Sequence, residues 1–191
     1  MRDIIVFDIE CTCWDDSENR NRDERETIEI GAALLDGANF DPIDFFDVLI
    51  KPVNNPILSK YCTDLTTLQQ SQVDKGMTFA EALDYFQKWY TFKGNPLFLT
   101  WGYFDKNHLV MESEKKDYHG QFVADILKHG CHVNVKQKFA EYMDCDPCGV
   151  SKALRKLQIK FEGTQHRGID DAKNIAKIAK HIKYQIPQRD F

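Results

Sequence analysis

Nothing in this 191-residue chain approaches the roughly 18 consecutive apolar residues that a membrane-spanning helix needs. It also lacks the basic start and small-residue cleavage site of a signal peptide. A soluble, cytoplasmic protein with no membrane partner is therefore expected. Excess positive charge is missing as well: 25 Lys and Arg stand against 30 Asp and Glu, a net charge of −5. That argues against a protein that grips long duplexes by neutralising phosphates. It leaves room for a site that holds only a chain end, where bound cations supply positive charge locally. Linkers, repeats and low-complexity tracts are absent, so residues 1–191 read as a single domain with room for a core.

Cysteine is present without an obvious use. The six are scattered through a chain long enough to fold without staples, and reduced thiols are expected. Cys145-Asp146-Pro147-Cys148 has the spacing of a zinc half-site or redox pair, but no second half-site lies at zinc-finger distance.

The chain is organised around its beginning. Ile4-Ile5-Val6-Phe7 is a run of four apolar residues, the pattern of a strand buried on both faces, yet it leads into Asp8-Ile9-Glu10. At strand period two, both carboxylates point to one face, where repulsion raises at least one pKa unless a cation intervenes. A hard divalent metal suits such a pair. Taken alone, the pair is equally the polar end of a strand entering a turn. A second Asp-x-Glu, Asp16-Ser17-Glu18, sits in a charged loop with no strand before it.

Residues 15–26 read as a solvated excursion dense in Asp, Glu, Arg and Asn. Thr27–Leu35 and Ile43–Ile50 read as the second and third strands, joined by Asp36-Gly37-Ala38-Asn39, which makes an antiparallel meander. Lys51–Pro56 breaks the pattern, and short helices are expected around Ser59–Cys62 and Leu68–Val73. Thr78-Phe79-Ala80-Glu81 is a capping box opening a helix whose Phe79, Leu83, Phe86 and Tyr90 form a core stripe. Pro96–Gly102 is a further apolar strand that runs into Asp105 at the start of a helix to about Glu114. His132–Val135 is a short strand before a helix to Met143, and helices over Gly149–Leu157 and Ile169–Tyr184 close the chain. Strands first, then alternating strand and helix, predict an α/β mixed sheet flanked by helices.

The last helix opens on Gln165-His166-Arg167-Gly168-Ile169-Asp170-Asp171. An acid at a helix N-terminus is explained by the macrodipole alone, and a lone loop histidine is as readily structural as catalytic. The ordered set says more. Two acids end the first strand, one follows the Leu97–Trp101 strand, and a histidine precedes the acid opening the last helix by five residues. Four carboxylates and a histidine at element tips make a hard-cation site with a base beside it.

These residues resemble those of the DEDDh-type 3′–5′ exonucleases of the ribonuclease H-like fold, and most of all their Eri-type RNA branch. Val6–Thr12, Trp101–Asp105 and His166–Ala176 match the three motifs in order, and Leu58–Thr66 with Gln69 and Val73 also follows that branch. The resemblance implies a ribonuclease H-like mixed five-stranded sheet, an antiparallel meander plus parallel strands. It implies that Asp8, Glu10, Asp105 and Asp171 bind two Mg²⁺ or Mn²⁺ ions, with Asp8 touching both, and that His166 is the general base. The family's histidine-to-acid interval selects Asp171 and leaves Asp170 to cap the helix. The reaction implied is release of 5′-mononucleotides from RNA 3′ ends, single-stranded or overhanging. A DNA exonuclease of proofreading or repair type is the alternative, and a non-catalytic RNA-binding module a third reading. Thr12, Cys11 and Leu65 are candidates for contacting the terminal nucleotide, and Trp101 and Phe104 for stacking on bases. Cys11 replaces a frequent Ala and Thr67 a frequent Gly. The nucleic-acid-binding module that precedes the nuclease in some relatives is not expected, since seven residues stand before Asp8.

Overall fold

An uninterrupted apolar run must be covered on both faces, and the centre of a sheet is where that happens. A computed structural model describes residues 3–18, 20–90 and 96–187. Its strands are β1 (Ile4–Cys11), β2 (Thr27–Leu35), β3 (Pro42–Leu49), β4 (Leu97–Thr100) and β5 (His132–Asn134), in the sheet order β3-β2-β1-β4-β5. β1 is thus central. It pairs antiparallel with β2 and parallel with β4, β2 pairs antiparallel with β3, and β4 parallel with β5. This is the expected meander joined to parallel strands.

Alternation along β1 divides the core. Ile5, Phe7 and Ile9 face a cluster with Phe79, Leu83 and Phe86 of α3 (Phe79–Trp89), Leu109 of α4 (Phe104–Lys115), and Phe122 and Ile126 of α5 (Gln121–Leu127). Ile4 and Val6 face the other layer: Phe139 of α6 (Val135–Met143), Leu154 of α7 (Val150–Lys156), and Ile175 and Ile178 of α8 (Gly168–His181). Asp8 and Glu10 continue the even-numbered series, so the period of two sends them toward the α8 layer. A smaller cluster joins Cys13 and Ile28 to Leu58, Cys62, Leu68 and Val73, from α1 (Lys60–Thr66), α2 (Gln70–Val73) and the residues around them.

The differences from expectation have local causes. β1 continues past Phe7 to Cys11 because β2 still pairs with it, and the register slips between Glu10 and Cys11. Such bulges re-aim side chains next to functional sites. α5 is a helix beyond those expected, and the burial of Phe122 and Ile126 holds it in place. α1 ends at Thr67, which takes the left-handed conformation with φ 63°. That conformation explains the Gly frequent at this position in the resembling family. No disulfide joins the six cysteines, and Cys145 and Cys148 pack in the α6–α8 layer. Among the described residues, no helix is long and apolar enough to cross a membrane.

Candidate active site

β1 and β4 run parallel, so their C-terminal ends reach the same sheet edge, the crevice where open α/β sheets bind ligands. Asp8 and Glu10 arrive there on β1. Asp105 arrives on the first turn of α4, where its Oδ1 accepts a hydrogen bond from Ile9 N at 3.3 Å. α4 is itself fixed to β2: buried Glu112 accepts from Thr27 N at 2.9 Å and from Thr27 Oγ1 at 2.6 Å.

Asp171 and His166 come from the start of α8. The backbone of α8 lies directly on the sheet, since a Cβ on Gly31 of β2 would meet Ile169 N at 1.9 Å, and one on Gly168 would meet Asp8 O at 3.1 Å. Only glycine permits both approaches. His166 has φ 63°, and its N–H donates to Asp171 Oδ2 at 2.7 Å, which ties the approach loop to the first turn. Asp170 does not cap the helix as expected. α8 has no side-chain cap, and Asp170 instead accepts from Thr164 N at 2.8 Å, bracing the preceding loop. The reason is direction: at the third helical position it points back toward residues 163–164, where Gly163 leaves it room.

The electrostatics show four acids forced together. Burial pushes Asp8 well above the ordinary carboxylate value, reinforced by Asp105, Glu10, Asp171 and Glu29. Glu10 rises to about 9 through burial, then Asp171, Glu29 and Asp105. Asp105 and Asp171 rise to about 6, in each case through burial, which the hydrogen bonds from Ile9 N and His166 N only partly offset. Burial also lowers the pKa of His166. Among the described residues, no Lys or Arg pairs with these four acids. Ligand atoms of Glu10, His166 and Asp171 lie within 4.8 Å of one another. Hard oxygen donors, crowded, buried and without a cation partner, fit a divalent metal.

A cleft of about 310 Å³ borders Glu10, and Cys11, Leu65 and Phe104 line it together with Trp14, Tyr61 and Arg25. Three of the five candidate substrate contacts are thus beside the acids. The other two do not line it. Thr12 is 2% exposed, and its Oγ1 accepts from Glu26 N at 2.9 Å, so the hydroxyl holds the β1–β2 excursion closed rather than facing the cleft. Trp101 packs against Phe139 in the α6–α8 layer and donates Nε1–H to Cys148 O at 2.9 Å. Its ring is partly buried against the core, with its N–H committed to the backbone.

Glu29 and Arg167 escaped the sequence reading. Glu29 is fully buried on β2, in register with Glu10. It accepts from Arg167 Nε at 3.2 and 3.3 Å, from Arg167 Nη2 at 3.1 Å and from Gly168 N at 3.1 Å. Glu29 therefore clamps the start of α8 to the sheet and is itself neutralised by Arg167. Beside it, burial and the charge of Glu29 raise Asp47 to about 6. The available signal was a glutamate at the centre of Ile28-Glu29-Ile30, in a strand every residue of which is buried. A charge there needs a partner.

Comparison with known proteins agrees with this geometry. The exonuclease family of RNase T type matches residues 5–179. The chain is 30% identical over 200 residues to ERI1 exoribonuclease 2 of Xenopus laevis, covering 94% of this chain and 28% of that protein. It is 30% identical over 193 residues to the 3′-5′ exonuclease Snipper of Drosophila melanogaster, covering 92% and 67%. The crystal structure of the nuclease domain of 3′hExo, a DEDDh family member bound to rAMP, superimposes with a TM-score of 0.83 at 25% identity, covering 95% of this chain and 92% of that one. The chain thus spans less than a third of the length of the exoribonuclease 2 relative and nearly all of an isolated nuclease domain. With the family matched over most of its length and all four acids and the histidine at one sheet edge, the chain belongs to the exonuclease family, alongside the ERI1 exoribonucleases.

Proposed function

We propose that this chain is a 3′–5′ exoribonuclease using two Mg²⁺ or Mn²⁺ ions to release 5′-mononucleotides from single-stranded or overhanging RNA 3′ ends. The observation that carries this is the cluster of Glu10, His166 and Asp171 beside a cleft that borders Glu10, with Asp8 and Asp105 close enough to act on these acids electrostatically. The four acids would hold the ions. When bound, such ions neutralise the scissile phosphate, help generate the attacking nucleophile and stabilise the leaving 3′ oxygen.

The protein's own groups do the rest. His166 accepts the proton of the attacking water, and its backbone bond to Asp171 keeps the ring at the acids. Leu65 and Phe104 form apolar walls for the terminal nucleotide; Phe104 is half exposed and stacks on His108, with centroids 5.3 Å apart, so its other face can meet a base. RNA is favoured over DNA as substrate because the ERI1 relatives are named exoribonucleases. The six unpaired thiols suit a reducing compartment such as the cytoplasm.

The test is direct. Matched RNA and DNA oligonucleotides with 3′ overhangs are incubated with protein and titrated Mg²⁺ or Mn²⁺. Shortening of RNA one nucleotide at a time from the 3′ end is expected, with 5′-mononucleotides as product and no activity in Asp8→Ala. Full activity in Asp8→Ala would end the two-metal reading, and faster cleavage of DNA would reassign the substrate.

A further inference from the structure

An acidic protein that acts on a polyanion must keep positive charge somewhere useful. The excursion between β1 and β2 carries Arg20, Arg22 and Arg25 within six residues. Two 3₁₀ turns, Asp16–Glu18 and Arg22–Glu24, fold it compactly, and Thr12 N donates to Glu26 O at 2.8 Å to close its base. It is therefore more than a solvated loop.

Three clefts share these arginines as walls. The cleft beside Glu10 reaches Arg22 and Arg25. A second, of about 160 Å³, is lined by Trp14, Asp15, Asp16 and all three arginines. A third, of about 440 Å³, is lined by Arg20, Arg25, Lys115 and Lys116 among the acids Asp23, Glu24, Glu26 and Glu112, with Lys116 paired to Glu26 and Glu112. Arg25 lines all three, so they adjoin around its side chain as an arginine-walled groove that borders Glu10.

How each cation is paired decides what the groove can hold. The Arg20 guanidinium lies 3.9 Å from the centroid of the Trp14 ring and donates to Asn55 Oδ1, which keeps its charge and fixes its plane. Arg22 pairs with Asp16 at 2.7 Å, but the two side chains are 68% and 87% exposed, so a stronger acceptor displaces that pair easily. Arg25 makes no ion pair among the described residues, and its Nε is buried without a hydrogen-bond partner. A buried donor left unpaired is costly, and a ligand acceptor removes that cost. Guanidinium forks match phosphate oxygens better than any other side chain does.

We infer that Arg20, Arg22 and Arg25 form a phosphate-binding track that holds the RNA strand upstream of its 3′-terminal nucleotide. The inference rests on the exoribonuclease reading for the identity of the strand and on the groove for its path.

The experiment measures binding of a fluorescein-labelled twelve-nucleotide oligouridylate by anisotropy in EDTA across a salt series. Each phosphate contact to a single strand contributes about 0.7 to the slope of log affinity against log salt. Arg22→Gln/Arg25→Gln should lower that slope by about 1.4 and weaken binding at low salt by at least about tenfold. Lys177→Gln/Lys180→Gln removes the same charge from α8, beside a separate groove near Phe45, and should leave the slope unchanged. Arg25→Lys should keep most of the slope but lose affinity, because charge remains and the fork does not. If the arginine pair fails to fold, exposed Arg22→Gln alone should lower the slope by about 0.7. An unchanged slope in the arginine variants, or an equal drop in the lysine pair, overturns the track. Wild-type protein that binds RNA but does not shorten it with Mn²⁺ would instead sink the nuclease reading and leave the slope comparison intact.

Discussion

Replacing Arg167 with Ala exposes how the acid cluster is kept in the fold. Arg167 is the only cation bonded to Glu29 among the described residues, and the Glu29 side chain has no solvent exposure. Removing Arg167 leaves Glu29 without its cation beside Asp8, Glu10 and Asp171, each of whose pKa values Glu29 already helps to raise. Breaking a buried pair from one side costs about 3–5 kcal/mol, a large part of the 5–15 kcal/mol that stabilises a typical domain. The assay is urea unfolding followed by circular dichroism in EDTA, with the midpoint expected to fall and the m-value to stay constant. Glu29→Gln/Arg167→Ala should recover much of the loss, since the stranded charge is gone. Adding Mn²⁺ should narrow the deficit of Arg167→Ala, because a divalent ion offsets the same repulsion. A cost below about 1 kcal/mol, or strictly additive effects in the double variant, would refute the clamp.

The remaining predictions concern separate features. His166→Ala should lower the rate of RNA hydrolysis by about two to four orders of magnitude, with RNA binding in EDTA unchanged. Thr67→Gly should stabilise the protein by up to about 1 kcal/mol in urea unfolding, because it relieves a β-branched residue at φ 63°. Glu26 predicts a pH dependence. Burial pushes its pKa up, but hydrogen bonds from Val53 N, Lys116 Nζ and Asn55 N outweigh that, and the folded value lies below the ordinary 4.5. Its contribution to stability is therefore complete above pH about 4.5 and lost as pH falls through the folded value. Unfolding free energy measured from pH about 3 to about 6 should fall less steeply on the acid side in Glu26→Gln than in wild type.

Most of the strands and helices were legible because their signals are local. Ile4–Phe7 announced a central strand, period two placed Asp8 and Glu10 on one face, and the capping box marked the start of α3 to the residue. Errors fell where an element is short or a side chain has two possible partners. Asp170 stands at a helix start, yet it braces residue Thr164. Thr12 and Trp101 neighbour the motif acids in sequence, yet their polar atoms were taken by Glu26 and Cys148. Adjacency along the chain does not say which way a side chain turns once the backbone has been used.

The sequence by itself set out the candidate chemistry: four acids and a histidine at element tips, in the order of a known motif set, with too little positive charge for a duplex binder. The tertiary structure alone decided how those acids are held. Gly31 lets α8 lie on β2, Glu29 and Arg167 join elements 138 residues apart, and among the described residues Arg25 is left without an acid partner in the cleft beside Glu10. The physical reason is range. Periodicity, capping and motif spacing act over a few residues and are written along the chain, whereas the pairing of buried charges depends on which distant elements the core brings into contact.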